Sequence, residues 1–207
     1  MDITPSYSEF AAAYDAGRAQ VVATRLVADL ETPVSAFLKL AEGQANAFLF
    51  ESVEGGARIG RYSFIAMAPD IVWRCRGTQA EINRRARYDP GAFEPVDEPP
   101  LASLRGLRAE SRIDLPEGTP PMASSLIGYM GYDTIRLVET IPDTNPDRLG
   151  IPDAVFVRPT VTAVFDRLED RITVFTPVFP RTGMTAEAAW ELAGERLANT
   201  VRDFEGD

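Results

Sequence analysis

The 207-residue chain contains no histidine, one cysteine and one lysine. Each shortage removes a class of chemistry. Without histidine there is no Ser-His-Asp triad, no Cys-His dyad, no imidazole base and no histidine-ligated metal. A lone Cys75 cannot form an intramolecular disulfide or a cysteine-rich zinc site, and it fits a reducing, cytoplasmic setting. With Lys39 as the only lysine, Schiff-base chemistry has almost no candidates. No run approaches 18 apolar residues, so no membrane span is expected, and MDITPSYSEF lacks the basic start and apolar stretch of a signal peptide. Basic residues are outnumbered 21 to 31, a net charge of -10, which argues against nucleic acid as a partner.

What is present suits a folded domain. Hydrophobic residues make up 45% of a chain long enough to bury a core without disulfides or metals. Ser6 and Glu9 form a capping box for a first helix that Gly17 ends. QVVATRLVAD (20–29) is β-branched and reads as a strand. Thr32 caps a second helix with Pro33 in its first turn. Residues 46–53 and 61–68 read as strands around a turn marked by Gly55, Gly56 and Gly60. A hairpin is expected about Gly77 and Thr78, then an exposed connection over 88–100 and a helix over 101–112. Residues 124–130 read as a buried strand with close-packing glycines Gly128 and Gly131, and 133–138 as a short helix. AVFVRPTVTAVFD and RITVFTPVF alternate across a turn at 167–170 and form an antiparallel hairpin. A last helix carries Trp190, Ala193, Leu197, Val201 and Phe204 on one stripe. The order predicts an α+β fold, with helices packed outside antiparallel sheet, in a single domain over 1–207 with no linker.

Candidate chemistry gathers in FLFESVEGGARIGRYSFIA, 48–66. Strand alternation puts Glu51 opposite in facing to Ser52, and sets Arg61 and Ser63 against Tyr62. Such an inventory suits a small zwitterion with an apolar side chain. Its ammonium needs an acceptor (Glu51 or a backbone carbonyl), and its carboxylate needs donors (Ser52, Ser63 or Arg61). Glu51 and Ser52 can serve one ligand together only if the strand bulges between them. Arg61 can equally pair with a neighbouring acid. Asp143, Asp147 and Asp153 lack the spacing of a calcium loop, and no metal ligands are assigned. Gly128 and Gly131 belong to no phosphate-binding motif. Cys75 alternates with Trp73 and is expected in the core.

The same string resembles the N-terminal region of anthranilate synthase component I: a leucine-rich strand ending in Glu-Ser, a glycine turn, then Gly-Arg-Tyr-Ser-Phe. TPVSAFLKLA upstream and GYMGYDTIRLVE downstream resemble two further signatures in the same order, so the likeness runs from about Phe10 to the last helix. Phe50 stands where leucine is common. The resemblance implies a place in tryptophan biosynthesis, in a family that converts chorismate and ammonia or glutamine to anthranilate and pyruvate. It implies magnesium in the parent enzyme, a glutamine amidotransferase subunit as partner, and L-tryptophan as feedback inhibitor. It implies a tryptophan site at Ser52, with Glu51, Arg61, Tyr62 and Ser63 beside it. It also implies that the chorismate-binding catalytic domain is C-terminal to this chain, so the fragment alone holds no catalytic residue or cofactor and is expected to be inactive. The related aminodeoxychorismate synthase component of the folate branch, and a purely structural packing module, are the alternatives.

Overall fold

The computed structural model describes residues 1–27, 31–53, 59–142, 144 and 146–206, with only the backbone at 53 and 59. The end of the expected strand at 28–29, the turn glycines Gly55 and Gly56, and Asp143 lie outside the described residues. In chain order the elements are β1 (Ile3–Thr4), α1 (Tyr7–Asp15), β2 (Gln20–Val27), α2 (Pro33–Ala41), β3 (Phe48–Val53), β4 (Ile59–Arg76), β5 (Gln79–Asn83), β6 (Glu94–Val96), α3 (Pro100–Glu110), β7 (Ile127–Met130), β8 (Ala154–Asp166), β9 (Arg171–Val178) and α4 (Ala186–Glu205). Short 3-10 turns occupy Pro121–Ala123 and Tyr132–Leu137. The fold is α+β with antiparallel strand pairs.

Chain packing resolves two compact units: Met1–Ala68 with Arg112–Ser125 and Thr160–Asp207, and Pro69–Ser111 with Leu126–Pro159. β4 and β8 each run through both.

In the first unit the strand order is β1-β2-β9-β8-β4, with β3 on the far side of β4. α1, α2 and α4 cover one face. Their stripes bury Phe10, Leu40 and Leu197 against Val22, Ile65, Val174 and Phe165. Alternation sends Val21, Ala23, Val164 and Phe175 to the other face, beneath Ala123 and the half-buried Ile113, Leu115 and Met122 of the 112–125 strap. Local chemistry fixes the helix starts. Ser6 and Glu9 close a capping box on α1, Thr32 and Ser35 close one on α2 behind Pro33, and Thr185 caps α4. The α4 stripe runs through Ala189, Ala193, Leu197, Thr200 and Phe204, while Trp190 sits at its edge against Tyr7 and Phe10.

The second unit orders β7, β8, β4, β5 and β6, with α3 alongside. Trp73 is fully buried, and its indole donates to Ser103 of α3 at 3.0 Å. Cys75 is buried with it. Arg158 and Asp70 join β8 to β4 through two hydrogen bonds of 2.8 and 2.7 Å.

Four expectations change. Residues 59–76 form one strand rather than two: Ala68 takes a left-handed φ of 51° within it, and its carbonyl is satisfied by the Thr160 hydroxyl, which donates at 2.6 Å. Part of the supposed exposed connection over 88–100 is strand β6, paired with β5 by Ala80↔Val96. The stretch read as a buried strand over 124–130 shortens to β7, in which only Ile127 is buried. Gly128 is nonetheless a close-packing glycine: a Cβ there would lie 1.8 Å from the Val155 carbonyl oxygen. The short helix expected at 133–138 is a 3-10 turn.

Candidate functional site

β3 pairs with β4 in antiparallel register, Leu49↔Ile65, Phe50↔Phe64 and Glu51↔Ser63, and the register then shifts so that Val53 meets Ile59. Ser52 alone spans this shift on β3, whereas Gly60, Arg61 and Tyr62 span it on β4, so the extra residues of the irregularity lie on β4. Ser52 is exposed, and its side chain lies directly over Gly60: a Cβ at that glycine would fall 1.9 Å from Ser52 Oγ. Glycine at 60 is therefore the counterpart of serine at 52.

Directly paired residues present their side chains to the same face. Glu51 and Ser63 thus share the face of Leu49 and Ile65, toward the helices, while Phe50 stacks on Phe64 on the other face at 4.9 Å. Arg167 N–H donates to the Arg61 carbonyl at 3.1 Å. In an antiparallel ladder this bond sets Arg167 opposite Arg61 and Phe165 opposite Ser63. Ser63 is fully buried between Glu51 and Phe165, and its Oγ has no hydrogen-bond partner.

Above this row lies a depression of about 310 Å³, lined by Glu31, Thr32, Pro33, Val34, Glu51, Phe165, Asp166, Arg167, Asp170 and Arg171. Its apolar lining comes from the first turn of α2 and from Phe165. Most of its charges are already engaged. Lys39 holds Glu31 at 2.9 Å, and with Ser35 keeps that carboxyl below the ordinary carboxylate range. Arg61 binds Asp166 through contacts of 2.6 to 3.1 Å, lowering the acid and raising the guanidinium. Arg171 pairs with Glu169. Glu51 and Arg167 meet only at 3.5 Å.

The five residues singled out from sequence therefore do not converge. Glu51 lines this depression. Arg61 and Tyr62 line a different one of about 660 Å³, with Val21, Val164, Phe175 and the 114–120 part of the strap. Ser63 lies buried beside Glu51, and Ser52 stands at the bulge; neither lines either depression. Sequence reasoning missed Pro33, Val34, Phe165 and Arg167 as part of the site. The helix start and the hairpin that carry them were readable, but their meeting with β3 depends on strand pairing across more than a hundred residues. Among the described residues no three acidic, cysteine or histidine side chains are arranged to hold a metal ion. No described helix is long and apolar enough to cross a membrane.

No protein-family model matches the chain. Curated proteins do. The chain is 49% identical to anthranilate synthase component 1 of Cereibacter sphaeroides over 200 residues, 97% of this chain and 40% of that protein. It is 36% identical to the protein of the same name from Aquifex aeolicus over 181 residues, 87% of this chain and 34% of that one. The chain belongs to the anthranilate synthase component I family. It spans about two-fifths or less of the length of these component 1 relatives. A crystal structure of anthranilate synthase component I from Streptococcus pneumoniae superposes with a TM-score of 0.56 at 21% identity, over 89% of this chain and 37% of that one, and so shares the fold.

Proposed function

We propose that this chain is the tryptophan-sensing regulatory part of an anthranilate synthase component I. The observation that carries the proposal is the Glu51 depression. It sets the Glu51 carboxylate in a largely charged hollow whose apolar lining comes from Pro33, Val34 and Phe165, a combination that suits an amino acid with an apolar side chain. The register shift beside the Glu-Ser pair supports it, because Gly60 leaves room for the Ser52 side chain where β4 carries its extra residues.

In the parent protein the reaction is conversion of chorismate, with ammonia from a glutamine amidotransferase subunit, to anthranilate and pyruvate. The bond-making residues belong to the chorismate-binding part of the longer protein. Regulation is then a population shift: tryptophan binds one arrangement of the protein better than the other and disfavours the arrangement that accepts chorismate. A sensing role predicts binding without turnover. Calorimetric titration of the purified chain with L-tryptophan is expected to give one saturable site, weakened at least tenfold by Glu51→Gln and several-fold by Ser52→Ala. The same sample, supplied with chorismate, ammonia and magnesium, is expected to make no anthranilate. Turnover by this chain, or tryptophan affinity unaltered in both variants, would overturn the assignment.

A further inference from the structure

Strand β7 is the least guarded edge of the sheet, and it opens onto half of the exposed apolar side chains of the molecule. We propose that β7 receives an extended strand from the remainder of the component I protein, which pairs along its outer edge and covers the apolar surface beside it. β7 belongs to the second unit and the Glu51 hollow to the first, so the inference does not depend on that hollow.

Three observations carry it. The first is the edge itself. Among the described residues β7 pairs with β8 alone, in the register Gly128↔Phe156 and Met130↔Ala154. The Gly131 N–H donates to the Asp153 carbonyl at 2.7 Å. In an antiparallel ladder the N–H and C=O of one residue point the same way, and the direction alternates along the strand. Ile127 and Tyr129 therefore bond β8 as Gly131 does, while Gly128 and Met130 turn both groups outward. Both of these residues are exposed. The second observation is the lack of protection. β1 is two residues long and runs into Pro5, β3 carries Glu51, and β6 carries Glu94 and Pro95. Short length, charge and proline are the devices that keep a free edge from pairing. β7 reads Ile-Gly-Tyr-Met and has neither charge nor proline. The third is the surface beside it. Eight of the sixteen exposed large apolar side chains among the described residues fall within 129–151, with Met130, Tyr132, Val138, Leu149 and Ile151 among them. Arg136 donates to the Ile141 carbonyl at 3.0 Å, and the Tyr129 hydroxyl to the Pro152 carbonyl at 2.6 Å, so the turn after β7 and the loop before β8 form one surface. Apolar exposure concentrated in this way marks an interaction site.

Length and charge decide what fills the edge. The chain spans about two-fifths or less of its component 1 relatives, so more than half of each relative has no counterpart in it. A second copy of this chain would instead bring a second net charge of -10 to the contact, and like charge opposes it. The occupant is thus a strand of the same longer protein. Its main chain takes the outward groups of Gly128 and Met130, and its apolar side chains lie beside Met130.

The test is amide hydrogen exchange, read at single residues by mass spectrometry, in this chain alone and in a chimera where it replaces the matching part of the Cereibacter sphaeroides protein. Gly128 and Met130 are expected to exchange freely in this chain and at least a hundredfold more slowly in the chimera, while Tyr129 and Gly131 are protected in both. Met130→Pro removes an N–H that meets only the added strand, a change that an edge strand accepts. It should leave the melting temperature of this chain within about 3 °C and lower that of the chimera by at least about 6 °C. Tyr129→Pro, which removes a bond to β8, should lower both. Sedimentation of this chain over a hundredfold range of concentration is expected to show a monomer. Equal exchange of Gly128 and Met130 in the two proteins, or a chimera whose two parts melt separately, would overturn the inference. So would dimers of this chain in which those two amides are protected, since the occupant is then a second copy.

Discussion

Two ion pairs, one in each unit, look alike on paper and differ in kind. Arg158 and Asp70 lie at 12% and 15% side-chain exposure and meet through two short bonds that tie β8 to β4. Arg167 and Glu51 also link residues of neighbouring strands, but at about three times that exposure and through one contact of 3.5 Å. The first is closed, with geometry that repays the removal of both charges from water. The second is longer and more exposed, beside the buried Ser63 hydroxyl that has no hydrogen-bond partner. A pair that closes the fold and a pair that stays loose are told apart by burial and bond length, not by residue type.

Breaking the two pairs should give the largest contrast. Arg158→Met removes both short bonds from the half-buried Asp70 carboxylate and is predicted to cost about 3 kcal/mol, the lower end for breaking a buried pair. Arg167→Met or Glu51→Gln should cost about 1 kcal/mol or less. Urea unfolding of the three variants measures the difference, and equal losses would erase the distinction.

The two crowded glycines sharpen it at the next level. Gly128 faces a backbone carbonyl, which cannot turn aside, so Gly128→Ala is predicted to cost about 3 kcal/mol, the upper end for overpacking. Gly60 faces Ser52, whose Cβ would lie at 2.3 Å where no side-chain rotation moves it, so Gly60→Ala should also cost about 2–3 kcal/mol, but as a clash that removing the Ser52 side chain relieves. Its larger effect should be on ligand binding, through the bulge. Replacing both residues, Gly60→Ala with Ser52→Gly, should recover stability in the same unfolding measurement.

The smallest effect concerns pH. Arg61 holds Asp166 below the ordinary aspartate range, so this pair contributes stability at neutral pH and loses it only as the pH falls through that lowered value. The Asp166 carboxyl, followed by NMR, should titrate below about 3.9, the value of an unperturbed aspartate. In Arg61→Met it should return toward that value.

Much of this fold could be read from local signals. The capping boxes at Ser6 and Thr32, the hairpin over 154–178 and the turn at Gly77 are each written within a few residues, and each appears where it was expected. The strand β6 could not be read, because Glu94–Val96 carries a proline and no alternation, and it is a strand only because β5 lies beside it. The site was legible in part. Glu51 lines the depression and Ser52 does not, and the extra residues of the irregularity between the strands fall on β4 rather than between Glu51 and Ser52. Arg61 was misleading: strand alternation groups it with Ser63, but its long side chain turns to Asp166 and stacks over Tyr62 at 4.9 Å. Arg167 carried no signal of its own in a turn of mixed charge, and its meeting with Glu51 exists only once β4 lies between β3 and β8.

The most direct test is an amide NMR titration of the chain with L-tryptophan. The proposal predicts saturable shifts at Val34, Glu51, Ser63, Phe165 and Arg167, while the Trp73 and Arg158 region stays still. Saturating ligand that moves none of these five, or moves only the second unit, would contradict it.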